Sequence, residues 1–203
     1  MLTCHRRATL FLNFYVKINA HTMKAAKLTH QQALEMVAKK IPPGTKLVSA
    51  SAQKWDIVAV VKDCKLLNGR LSKSIEKHVD DVTKKAQILK ALSELFAAVC
   101  EEDYQAAIEE SGVSCKVAHS FQYEKGTYKV WELKPNNKDR IYFFPLKDGL
   151  PQGRKALFLL TAYHKKDQKT PKEISEICEE DIKSILDSRG KIEICEEKNV
   201  AKK

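Results

Sequence analysis

Apolar positions along the chain recur at helical spacing first, then helical and strand signals alternate. Thr29 can cap a helix over HQQALEMVAKK, whose stripe is Ala33, Met36, Val37 and Ile41, and PPG at 42–44 ends it. Residues 45–53 read as a short strand or a linker. KWDIVAVVK at 54–62 has the composition of a strand, and LNG at 67–69 is a turn signal. Residues 72–111 carry helical signals throughout, too long a run for one helix. Two helices are predicted, divided near Thr83 or near 101–103 and closed by Gly112.

The grammar then becomes that of strands. CKVAHSFQYE, TYKVWELKP, RIYFFPL and RKALFLLTAYH are joined by KG, NNKD and KDGLPQG, which predicts an antiparallel meander. In the segment that follows, Thr170, Pro171 and Glu173 have the spacing of a capping box with proline at the first helical position. The helix they open should run to about Leu186, where DSRG stops it. The fold class expected is α+β: a small antiparallel sheet packed against N-terminal helices, with a C-terminal helix. Residues 1–50 are expected as a basic N-terminal extension with one helix, residues 51–190 as the main domain, and residues 191–203 as a loose tail. The apolar run near the front follows two arginines but is broken by Asn13 and Lys17, and it is too short to span a bilayer. A dispensable tail, a packed strand or helix, and a targeting segment all remain open for it, and Met23 is an alternative start.

Charge changes the picture. The chain carries 36 Lys and Arg against 26 Asp and Glu, a formal net charge of +10, and that charge is sorted. Residues 1–53 hold eight basic side chains to one acidic; residues 91–115 hold six acidic and no Lys or Arg; residues 116–172 hold thirteen basic to five acidic. Such sorting points to an anionic ligand for the middle segment, with a polyanion the obvious candidate. The six cysteines show no CxxC spacing. They read as scattered thiols in a cytoplasmic, reducing compartment, with neither a zinc site nor a disulfide framework expected.

Alternation along KVWELK places Glu132 and Lys134 on one face and Trp131 and Leu133 on the other, and in RIYFF it places Arg140 and Tyr142 together. A hairpin across PNNK would bring Lys134 close to Arg140, with Lys138 in the turn. HKK at the end of the neighbouring strand would complete a cluster of Lys134, Arg140, Tyr142, His164, Lys165, Lys166 and Lys169. These groups suit RNA cleavage by internal transesterification. The ribose 2'-hydroxyl must lose a proton, the phosphorane gains negative charge, and the 5'-oxygen must be protonated as it leaves. Fixed cations stabilise that charge, and a histidine or a lysine of depressed pKa carries the proton. No metal and no cofactor is called for. The bland readings stand beside this one: the junction lysines as solvated loop residues, Arg140 paired with Glu132 or Asp139, Tyr142 as sheet packing, His164 as a surface residue.

VWELKPNNKDRIYFF followed by ALFLLTAYHKKDQKTPKEI resembles the toxin family typified by RelE and HigB, most of all its phage-related HigB-like branch. In that branch a W-E-L-R strand leads to an Arg-bearing strand and then to a K-K-T-x-K-T-P junction before the last helix. The element order is similar over about residues 54–186 and the motif over about 129–174. The resemblance implies a RelE/ParE-like fold and a metal-independent endoribonuclease that cuts mRNA, often on the ribosome, and is held inactive by a cognate antitoxin. It assigns catalysis to Arg140, Lys166 and Lys169, with His164 and Tyr142 as further candidates, and phosphate binding to Lys134, Lys165 and Lys138. Lys134 stands where the pattern often has Arg, and Asp167 where it carries Thr. A non-catalytic RNA-binding or ribosome-binding module, or an antitoxin-docking module, is the alternative. No membrane partner is expected, and no double-stranded DNA, because no base-reading helix is evident.

Overall fold

The computed structural model describes residues 23–148, 150–166 and 170–195. Among these residues seven strands form one sheet: β1 (Lys24–Lys27), β2 (Asp56–Val60), β3 (Ser114–Tyr123), β4 (Gly126–Lys134), β5 (Asp139–Leu146), β6 (Ala156–His164) and β7 (Glu193–Cys195). Their spatial order is β3-β4-β5-β6-β2-β1-β7. The meander from β3 to β6 is antiparallel throughout, as the alternating segments predict. β2 then pairs with β6 in parallel, and β1 with β7 in parallel, while β1 and β2 are antiparallel.

The α+β composition is present, but the small antiparallel RelE/ParE-like sheet is not. The sheet is mixed and seven-stranded, with five helices α1 (His30–Glu35), α2 (Arg70–His78), α3 (Val82–Ala98), α4 (Tyr104–Glu110) and α5 (Lys172–Asp187). The reason lies in β2. Ile57, Val58 and Ala59 are buried on both faces, and a strand that is apolar on both sides needs neighbours and helical cover on both sides. β6 and β1 supply the neighbours. β1 therefore belongs to the sheet instead of preceding it, with Ala25 and Ala26 in the core.

Each face has its own cluster. Ile57, Ala59, Leu133, Ile141, Phe143, Leu157 and Leu159 pack against α1, α3 and α4 through Leu34, Ile88, Leu92, Phe96 and Ile108. Val58, Val130, Tyr142, Phe144, Phe158 and Leu160 meet Ile174, Cys178, Ile182 and Ile185 of α5. α1 carries the expected Thr29 cap, with Gln32 completing a capping box. The helical stretch breaks at both candidate points, giving three helices, with Asp81 and Asp103 capping α3 and α4. The box expected at Thr170 does not form: Pro171 is the N-cap, and the Thr170 hydroxyl lies 3.0 Å from the Tyr142 hydroxyl. α2 lies beside β6 beyond the end of β2, and its Ser74 hydroxyl accepts from the Ala162 N–H at 2.9 Å, closing an otherwise open strand edge. Among the described residues no helix is long and apolar enough to cross a membrane.

Two cysteines depart from the expected thiols. Cys64 and Cys195 form a disulfide across 131 positions of sequence, fastening β7 to the turn after β2; Cys100, Cys115 and Cys178 are free. Closing so long a loop is worth at most about 5 kcal/mol in the chain-entropy model. A thiol reductant should accordingly lower the unfolding free energy by about 2–5 kcal/mol, read from denaturant midpoints with and without it, and Cys64→Ser should show the same loss without reductant. Asp181 on α5 is buried beside Arg70, at 3.3 Å. Burial pushes its carboxyl up to about 6 against the pull of Arg70, with Glu180 adding to the rise. A raised folded-state pKa gives stability that is complete below pH 4 and is lost as pH climbs through 6. Asp181→Asn should flatten that decline, about 2–3 kcal/mol at most, in unfolding measured at pH 4 and pH 7.5.

Candidate functional site

The β4–β5 turn organises the end of the sheet that carries the predicted residues. Asn136 folds its side chain into it: Oδ1 accepts from the N–H groups of Lys138 and Asp139, both at 2.7 Å, and Nδ2 donates to Asp139 Oδ2 at 2.6 Å. The Lys165 N–H donates to the Lys138 carbonyl at 2.8 Å, so the end of β6 is tied to the same turn.

Arg140 is consumed by this structure. Nη1 donates to the carbonyls of Asn136 and Asp139 at 2.8 and 2.7 Å, Nη2 to that of Asn137 at 2.8 Å, and Nε lies 3.3 Å from Glu132 Oε2. The residue is 4% exposed. Glu132 is equally buried and is the hub of a cationic group, with Lys116 Nζ at 3.9 Å and Lys165 Nζ at 4.0 Å. Lys134 stands beside them. Burial, then Arg140 and Lys116, hold its ammonium below the usual lysine range. Burial also lowers Lys165, against the pull of Glu132. Tyr142 shares this face, as the alternation predicts, but it is 1% exposed, and burial raises its phenol well above the ordinary range. The set of basic residues expected at a phosphate is here largely a neutralising shell for one buried carboxylate.

The opposite face of the same strand ends holds a different arrangement. Asp139 and His164 are partners in the β5–β6 register, and His164 Nδ1 lies 2.8 Å from Asp139 Oδ1. Asp139 is buried, with its second oxygen held by Asn136. An ionised carboxylate only accepts, so the Asp139 contact favours the tautomer with the hydrogen on Nδ1, in which the neutral ring has its lone pair on Nε2. His164 lines a cavity of about 450 Å³ with Asn136, Asn137, Lys138 and, from the start of α3, Asp81, Thr83 and Lys84. Lys84 is already engaged by Asp80 at 2.6 Å and Asp81 at 3.2 Å. Lys138 and Lys166 are exposed. Lys169 and Asp167 lie outside the described residues.

The predicted cluster is thus divided by the plane of the sheet: His164 and Lys138 on one cavity, Arg140, Tyr142, Lys134 and Lys165 about Glu132. Two important residues were not singled out from sequence. The sequence offers Glu132 only as a partner for Arg140, and Asp139 likewise. The Asn136–Asp139 spacing is a legible turn signal, but the pairing of Asp139 with His164 depends on a register that sequence alone does not supply. No protein-family model matches this chain, and no curated protein or solved structure shows significant similarity to it.

Removing Arg140 leaves Glu132 buried without its nearest cation and frees three turn carbonyls. Arg140→Ala should therefore cost about 3–5 kcal/mol of stability, measured by denaturant unfolding. Adding Glu132→Gln to it should recover part of that loss, because the orphaned charge is removed with its partner.

Proposed function

We propose that the chain is an endoribonuclease that cuts mRNA by internal transesterification, with His164 as the proton carrier and Asp139 as its positioning residue. The observation that carries this reading is the Asp139–His164 pair, which commits Nδ1 and leaves Nε2 for a substrate in the adjoining cavity. Nε2 takes the proton of the ribose 2'-hydroxyl. The O2'–P bond forms, the P–O5' bond breaks, and O5' leaves with a proton from the imidazolium or from water. The products are a 2',3'-cyclic phosphate and a 5'-hydroxyl end. Lys138 and Lys166, exposed at the same end of the sheet, are suited to flanking phosphates and to the charge that grows on the phosphorane. The motif likeness over residues 129–174 supports RNA as the substrate. Arg140 and Tyr142 serve this reading as scaffold, not as catalytic residues, because both are buried and bonded.

One observation favours a second reading, an RNA-binding module without cleavage: Arg140, a cation assigned to catalysis, and Lys165, one assigned to phosphate, face a buried carboxylate. The two readings separate in one assay. Purified protein is given an mRNA, free and in a translating extract, and product ends are mapped. His164→Asn and Asp139→Asn should each reduce cleavage about 10²–10⁴-fold while leaving RNA binding within about twofold. Cleavage by His164→Asn at the parent rate would remove the histidine from the mechanism. RNA bound but uncut by the parent would establish the module.

A further inference from the structure

At the other end of β6 lies a second polar cavity, of about 330 Å³, that the proposed reaction does not use. It gathers Lys27 from the end of β1, Gln53 and Lys54 from the segment after a 3₁₀ turn at Ala50–Ala52, Asp56 from the start of β2, and Arg154 and Lys155 leading into β6. Eight strand steps separate this end of β6 from His164, about 26 Å at strand spacing.

The charges do not balance. Four cations line the cavity with a single carboxylate, and Asp56 is itself buried. It holds Lys27 at 2.7 Å and is bonded to Arg154 Nη2. Each of those side chains has donors to spare: an ammonium carries three and a guanidinium five. Lys155 is fixed by Glu102 at 2.8 Å, outside the cavity, and lies 5.5 Å from the centre of the Trp55 ring. The backbone beneath is set by sheet and helix, with the Asp56 N–H donating to the Lys155 carbonyl at 2.9 Å and the Lys54 N–H to the Val99 carbonyl at 2.8 Å.

An independent observation comes from Gln53. Both polar atoms of its amide, Nε2 and Oε1, are buried, and neither has a hydrogen-bond partner among the described residues. A buried amide without partners is costly, and Gln53 is one of the residues that border the cation-rich cavity.

We propose that this cavity binds a small phosphate monoester. Its phosphate oxygens would sit on the spare donors of Lys27, Arg154 and Lys54, and a neighbouring hydroxyl or amide of the ligand would pair with the Gln53 amide once that side chain turns from its closed position into the cavity. Several fixed cations, one of them a guanidinium, match a dianion with three terminal oxygens better than a lone carboxylate. The amide, donor and acceptor at once, selects a ligand with a polar group beside the phosphate. The volume falls at the small end of the range for ligand sites. Sugar phosphates and mononucleotides share this chemistry.

The test is calorimetric titration of the full chain with ribose 5-phosphate, a nucleoside 5'-monophosphate, inorganic phosphate and a short oligoribonucleotide. At least one monoester should bind more tightly than inorganic phosphate. Gln53→Met, of similar volume, should weaken the monoester about tenfold or more and inorganic phosphate little, and Lys54→Ala should weaken both. His164→Asn and Lys166→Ala should leave both affinities unchanged, which separates this site from the one proposed for RNA. No heat from either monoester up to about 10 mM, a floor weaker than millimolar affinity, would overturn the proposal. So would equal affinity in the parent, Gln53→Met and Lys54→Ala, binding that falls with Lys166→Ala instead, or binding of the oligoribonucleotide alone.

Discussion

The parallel pairing of β2 with β6 is the contact on which the rest of the architecture depends. It joins Asp56–Ala59 to Ala156–Leu159, segments separated by three helices and three strands, and it places two nearly continuous apolar runs side by side. Each run is apolar on both faces, so the pair is stable only between two helical layers. α1, α3 and α4 cover one side and α5 the other. The same pairing leaves β2 one free edge, which β1 takes, and β1 in turn accepts β7. The disulfide from Cys64 to Cys195 fastens that last and shortest strand to the turn that leaves β2.

Placing β6 at the centre also places chemistry at both of its ends. Its first residues follow Arg154 and Lys155, which border a cation-rich cavity with Asp56. Its last residue, His164, meets Asp139 across the register. A strand packed on both sides is a rigid support, so His164 is held by the core, while Arg154 and Lys155 stand in the segment that leads directly into it. The exposed lysines of the junction contribute charge, while the groups whose geometry is defined are those the strand ends hold.

How much of this was legible follows the range of the contacts. Thr29 with Gln32, the breaks near Thr83 and 101–103, and the hairpins from β3 to β6 are all set within a few positions, and their residues announce them. β1 and β7 are not announced. KAAK lacks strand composition, and EIC is three residues long; both become strands because an apolar edge needs covering. The Cys64–Cys195 bond was equally hidden, since nothing in their spacing relates two cysteines brought together by the parallel pairing of β1 and β7. At the site, alternation correctly put Glu132, Arg140 and Tyr142 on one face, but it says nothing about depth. Depth reversed the meaning of two of them, turning an expected catalytic cation into a brace and an expected available hydroxyl into a buried one.

The concentration of positive charge where β6 hands over to α5 has, in this light, two physical origins. Part of it answers Glu132. A carboxylate buried to that degree is tolerated only when cations and hydrogen bonds replace its water, and Arg140, Lys165 and Lys116 surround it from three strands or strand ends. Arg140 does more than neutralise, because its remaining donors close the carbonyls of residues 136, 137 and 139 and so hold the turn that aims Asp139 at His164. The lysines outside this shell, Lys138 and Lys166, have no such internal demand to meet and stand exposed. Arg140 holds the turn, the turn orients the imidazole, and the exposed cations remain at the surface. That division makes burial, more than residue type, the criterion by which the basic residues of this junction sort into scaffold and exposed surface.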